Sequence, residues 1–131
     1  MTAAVETGEG VYTIDAESER VVDFVAGAEL PAEPGPRVEL PRVVATATSG
    51  STVVAIIDRR PPLAVSHDAG RTWREAGGGL PQGRAIAIAD DDPDRMLYAA
   101  ASRIFVSTDG GRFWRALEPE LPEIVRVAWL D

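Results

Sequence analysis

The stretch Ser107-Thr-Asp-Gly-Gly-Arg-Phe-Trp114 has an echo at Ser66-His-Asp-Ala-Gly-Arg-Thr-Trp73, and the fold reading follows from that pair. The shared pattern, Ser-x-Asp-x-Gly-x-x-Trp, recurs after 41 residues. A repeat of that length fits one four-stranded blade of a β-propeller. Each residue type has a local task. Asp68 and Asp109 suit a turn because their carboxylates accept hydrogen bonds from nearby backbone N–H groups. Gly70 and Gly111 reach positive φ without a Cβ penalty. Trp73 and Trp114 bring large apolar area to lie between sheets.

Outward from these turns the register holds. Leu40-Pro41, Leu80-Pro81 and Leu121-Pro122 stand 40 and 41 residues apart, and an apolar or alanine-rich run follows each. These runs, 43–48, 85–90 and 125–130, read as first strands near a propeller axis, where converging blades favour small side chains. Second strands are expected at 52–58 and 95–100, third strands at 62–66 and 104–107, and fourth strands at 72–76 and 113–117. Ser49-Gly50 and Asp91-Asp-Pro-Asp94 are the turns expected between first and second strands.

Residues 1–31 read as a degenerate blade supplying strands two to four, at 2–6, 11–15 and 20–25. In it Glu17 stands in place of Gly111 and Arg20 in place of Trp114. Residues 26–38 are an inserted loop, 42–81 and 82–122 are complete blades, and 123–131 hold the lone first strand of the closing blade. The expected architecture is all-β, with three four-stranded antiparallel blades per chain. Closed propellers need about four to eight blades. A homodimer of six blades is therefore expected, the terminal strand of each chain completing its partner's first blade by strand exchange.

The Ser-x-Asp-x-Gly-x-Thr-Trp pattern resembles the Asp-box, or BNR, repeat of sialidases, sortilin-type receptors and a photosystem assembly factor. The resemblance covers residues 42–131 well and 1–31 faintly. It implies a structural role for Ser66, Asp68, Gly70, Thr72, Trp73, Ser107, Asp109, Gly111 and Trp114, in turns at the blade periphery. Phe113 departs from the usual Thr and gives up one hydrogen bond.

Composition narrows the function classes. The chain of 131 residues has no cysteine, which excludes disulfides and thiolate metal sites. Its formal charge of −8 argues against nucleic acid and anionic membrane surfaces. No apolar run is long enough to span a bilayer, and the first residues lack the basic start and apolar core of a signal peptide, so a cytoplasmic protein is expected. No cofactor or metal is expected: the acids at 90–94 lack EF-hand spacing, and His67 is the sole histidine. Ser66-His67-Asp68 is not a triad, since consecutive strand residues face opposite ways. Sialidase chemistry needs an arginine cluster and a tyrosine nucleophile, whereas Tyr12 and Tyr98 sit at strand positions that read as core. The functional expectation is a non-catalytic binding or scaffold module for a protein, peptide or glycan, with Trp129 a candidate interface or ligand residue. A glycoside hydrolase with a site at the channel mouth is the alternative, resting on carboxylate pairing that spacing cannot test.

Overall fold

In a computed structural model describing residues 1–130, the chain forms twelve strands and no helix. They are β1 (Thr2–Thr7), β2 (Gly10–Asp15), β3 (Arg20–Ala26), β4 (Val43–Ser49), β5 (Thr52–Ile57) and β6 (Leu63–Ser66), followed by β7 (Arg74–Ala76), β8 (Ala85–Ala89), β9 (Asp92–Ala99), β10 (Ile104–Ser107), β11 (Arg115–Ala116) and β12 (Ile124–Trp129). These make three four-stranded sheets, β12-β1-β2-β3, β4-β5-β6-β7 and β8-β9-β10-β11, here the first, second and third. All pairings are antiparallel. With no helix among the described residues, none is long and apolar enough to cross a membrane.

The third sheet lies between the other two, and its alternation shows why. Along β8 and β9, Ala85, Leu97 and Ala99 pack on Ala3, Val5 and Ile14 of the first sheet. The intervening Ile86, Ile88, Met96 and Tyr98 pack on Val54, Ile56, Leu63 and Val65 of the second. A strand apolar on both faces belongs in the middle of a stack. Each fully buried Leu, Ile or Val here contributes about 1.5–3 kcal/mol relative to exposure.

Within the chain β12 pairs with β1, Ala3 opposite Trp129 and Val5 opposite Val127, so the two ends of the sequence share one sheet. One expectation needs correction: the acidic turn sits earlier than expected. Asp90 and Asp91 make it, Ala89 already faces Asp92, and the register slips so that Ile88 faces Met96. Asp92–Asp94 thus start β9, beside a bulge that adds residues to one strand only.

Within-chain closure places the first and second sheets on opposite sides of the third, although β3 leads directly to β4 in sequence. The link at 27–42 must span that distance, and extended it reaches up to ~50 Å. It lies as a strap over both end faces. The Leu30 N–H donates to Glu6 Oε1 at 2.9 Å on the first sheet, and Thr46 Oγ1 donates to the Pro36 carbonyl at 2.7 Å on the second. Val38 and Leu40 then pack on Ala55, Ile57 and Ala64. Gly35 allows the close approach, since a Cβ there would fall 2.1 Å from the Thr46 carbonyl oxygen.

Candidate functional site

Both motif turns are held by their own side chains. In the second sheet, Ser66 Oγ donates to Asp68 Oδ1 at 2.7 Å and accepts from the Gly70 N–H at 2.8 Å. Asp68 accepts the Thr72 N–H at 2.8 Å and the Thr72 hydroxyl at 2.6 Å. The third sheet repeats the plan: Ser107 Oγ donates to Asp109 Oδ1 at 2.8 Å and accepts from Gly111 N–H at 2.9 Å. The Arg112 and Phe113 N–H groups donate to Asp109 Oδ1 at 3.1 and 3.0 Å. Phe113 has no hydroxyl, so that bond is missing. Trp114 closes the turn, its indole N–H on the Gly111 carbonyl at 2.9 Å.

Two successive residues take positive φ in each turn, Ala69 (61°) with Gly70 (90°), and Gly110 (76°) with Gly111 (88°). The sequence pattern singles out only the second of each pair, and Ala69 adopts the left-handed region without glycine's freedom. In the first sheet the corresponding turn is a plain hairpin. Asp15 still accepts the Ser18 hydroxyl at 2.7 Å and the Glu17 N–H at 3.3 Å, and Glu19 takes φ 58°.

These bonds favour the ionised carboxylates. The Thr72 hydroxyl, then the Thr72 N–H and Ser66, hold the Asp68 carboxyl well below the usual range. Asp109 is lowered chiefly by the Phe113 N–H, and Asp15 chiefly by Ser18. A folded-state pKa below the unfolded one gives stabilisation that is complete above the unfolded value, about 3.9 for Asp. It is lost as pH falls through the folded value. We therefore expect Asp68→Asn to lower Tm near neutrality, with the gap to the wild type narrowing below about pH 4. Thermal melts from about pH 6 to about pH 2.5 check this; a gap constant with pH would show that charge at Asp68 does not matter.

Chemistry at these acids is unfavoured because their lone pairs already serve the turn. Ser66-His67-Asp68 is no triad in space either: His67 is exposed, and its Nδ1 lies 3.4 Å from Thr52 Oγ1. Tyr98 is fully buried, and Tyr12 stacks on Phe24 at 4.5 Å between centroids. Among the described residues no group of three His, Cys, Asp or Glu side chains gathers as metal ligands. Trp129 is half-buried inside its own chain, against the core shared by the first and third sheets. The Arg95 guanidinium lies 4.7 Å from its ring centroid, a cation–π contact.

Sequence reasoning missed two residues that join sheets. Arg74 Nη2 donates to the Gly110 carbonyl at 2.7 Å, linking the second sheet to the third-sheet turn. Arg115, 41 positions later, donates to the Ala16 carbonyl at 2.9 Å and to Glu19 Oε2 at 2.8 Å, linking the third sheet to the first. The signal was present as Trp73-Arg74 and Trp114-Arg115, a dipeptide repeating with the motif. At the corresponding place in the first sheet, Val21 follows Arg20. No arginine staple is available there to reach a further sheet.

Compared with known proteins, the chain matches no protein-family model and no curated protein.

Proposed function

We propose that this protein is a non-catalytic binding or scaffold module, an Asp-box β-propeller segment whose ring is closed by a second copy into six blades. The observation that carries the reading is strand β3. All seven of its residues are exposed, among them Val22 at 59% and Val25 at 52%, and Val44 on β4 is 48% exposed. An apolar edge of this kind in water is a template for association. A two-fold axis sets the first sheet of one copy beside the second sheet of the other, with the 27–42 straps along the seam. Since β12 stays with β1, this closure needs no strand exchange.

The non-catalytic part rests on the motif acids, which hold their turns together. A protein, peptide or glycan would bind at a loop face or the axial channel, where propellers commonly carry ligands.

Light scattering behind size-exclusion chromatography tests the assembly. We expect a mass near twice the 14.0 kDa chain, falling to one chain when Val22 and Val25 are both replaced by glutamate. A monomer at every concentration would sink the closure, and a threefold mass would point to a different ring.

A further inference from the structure

The turn after β10 departs from its counterpart after β6 in a way that folding does not reward. Where Thr72 donates its hydroxyl to Asp68, the third sheet has Phe113, a residue 79% exposed. That change forgoes a turn hydrogen bond and leaves a phenyl ring in water. Two neighbouring positions differ in the same direction between the repeats. Phe105 stands where the second sheet has Ala64, and Gly77-Gly-Gly79 stands where Glu118-Pro-Glu120 follows one repeat later. Phe105 also packs on the core beside Tyr98, but at Phe113 a local rule is broken without a structural gain, which marks a site selected for something else.

Together these residues form a hollow of about 350 Å³ between the second and third sheets, lined in part by Gly78, Gly79, Phe105, Arg112, Phe113 and Trp114. A second hollow of about 200 Å³ shares Phe113 and Trp114 and extends to Thr108. Phe113 and Trp114 thus border both depressions.

The lining selects the ligand. Three aromatic rings supply apolar surface, but the Trp114 indole N–H is engaged by Gly111 and the phenyl rings have no polar atom. The rings therefore offer no hydrogen bond to sugar hydroxyls. A Cβ at Gly78 or Gly79 would meet nothing within 4 Å, so their backbone is open to an approaching chain. Arg112 is the only charged side chain lining the larger hollow, and among the described residues it makes no ion pair. On a chain of net charge −8, a free guanidinium beside aromatic rings favours a carboxylate.

We infer that this groove binds an extended segment of a partner protein, seating a proline or aromatic side chain on Phe105, Phe113 and Trp114 and a carboxylate on Arg112. Aromatic-lined grooves recognise proline-containing segments in this manner. The inference extends the proposed binding role without resting on the six-bladed ring, because both walls belong to one chain.

The test is a titration of the ¹⁵N-labelled full chain with two blocked hexapeptides, one carrying Phe-Pro-Glu-Glu and the other Phe-Pro-Gln-Gln, and separately with an acidic trisaccharide. The acidic peptide is expected to shift the amides of Gly78, Gly79, Arg112 and Phe113, and to bind about tenfold more tightly than its neutral analogue. Arg112→Gln should abolish that preference. Phe113→Thr installs the residue that the second-sheet turn already uses, so the fold is kept, and binding should weaken about tenfold or more. The inference is overturned if neither peptide shifts these amides at millimolar concentration, or if the shifts lie elsewhere. It is also overturned if Phe113→Thr leaves affinity unchanged, or if the saccharide is preferred. Concentration-dependent shifts of the same amides without peptide would assign the groove to a second copy and equally overturn it.

Discussion

Tyr98→Ala is expected to cost about 4 kcal/mol of stability, near the middle of the range for deleting a buried aromatic side chain. Tyr98 is fully buried where the second and third sheets meet. Its ring lies 6.0 Å from Phe105 and 5.6 Å from Trp114 between centroids, and its hydroxyl donates to the Pro81 carbonyl at 2.5 Å. The site is shaped around this ring: a Cβ on Gly83 would fall 2.4 Å from Tyr98 Cζ. Alanine would leave a cavity facing both sheets and an unmet carbonyl. Tyr98→Phe removes only the hydroxyl and should cost about 1–2 kcal/mol.

Burial also pushes the Tyr98 phenol up to about 12. A raised folded-state value means that its contribution is intact below the unfolded value of about 10 and fades as pH climbs toward the folded one. Tyr98→Phe should remove that alkaline loss. Urea denaturation of the three proteins at about pH 7 and about pH 11 reads both effects. A cost below about 1 kcal/mol for Tyr98→Ala would mean that the sheets do not stack around this residue.

Deletion of residues 124–131 should abolish the folded state. β12 brings buried Ile124 and partly buried Val127 and Trp129 to the core between the first and third sheets. Its Arg126 meets the buried Glu6 carboxylate at 3.0 and 3.1 Å. Loss of Arg126 leaves the buried Glu6 carboxylate with only the Leu30 N–H, and losing the burial of Ile124, Val127 and Trp129 costs about 1.5–3 kcal/mol for each side chain that is fully buried. Against the net stability of a typical domain, about 5–15 kcal/mol, such losses are large. The β1 edge would be opened as well. We expect insoluble or unfolded protein by circular dichroism.

A circular permutant separates within-chain closure from exchange. Leu130 N–H already donates to the Thr2 carbonyl at 2.9 Å, so a short turn can join β12 to the start of β1. With β12 paired in its own chain, the permutant should keep the parent's mass and melting temperature. A permutant of half the parent's mass would mean that solution molecules exchange the strand after all.

Much of the strand layout was legible because its causes are local. The run Val43–Thr48 became β4, Pro62–Ser66 became β6 from Leu63 onward, and Arg20–Val25 became β3 with one residue added. The motif turns were legible for the same reason: Asp68 and Asp109 bond to groups no more than four residues away. Fourth strands were read too long, since the turn bonds hold the chain until Trp73 and Trp114 and leave only Arg74–Ala76 and Arg115–Ala116 to pair. The aromatic groove was not legible. Gly77–Gly79 and Phe113 lie far apart in the chain, and only stacking of the second and third sheets brings them to one hollow.

A period, the turn chemistry at each repeat, and three sheets' worth of alternating strands can be read from the residues alone. Each follows from interactions spanning a few residues. The destination of β12 and the spatial order of the sheets were decided only by tertiary structure. An unpaired β1 edge offers the same N–H and C=O groups to its own β12 or to a copy's, so no local pattern separates the two. What separates them is reach. The link at 27–42 is long enough to carry the chain past the third sheet, and its anchors on Glu6 and Thr46 hold it there, so β12 meets β1 within one chain.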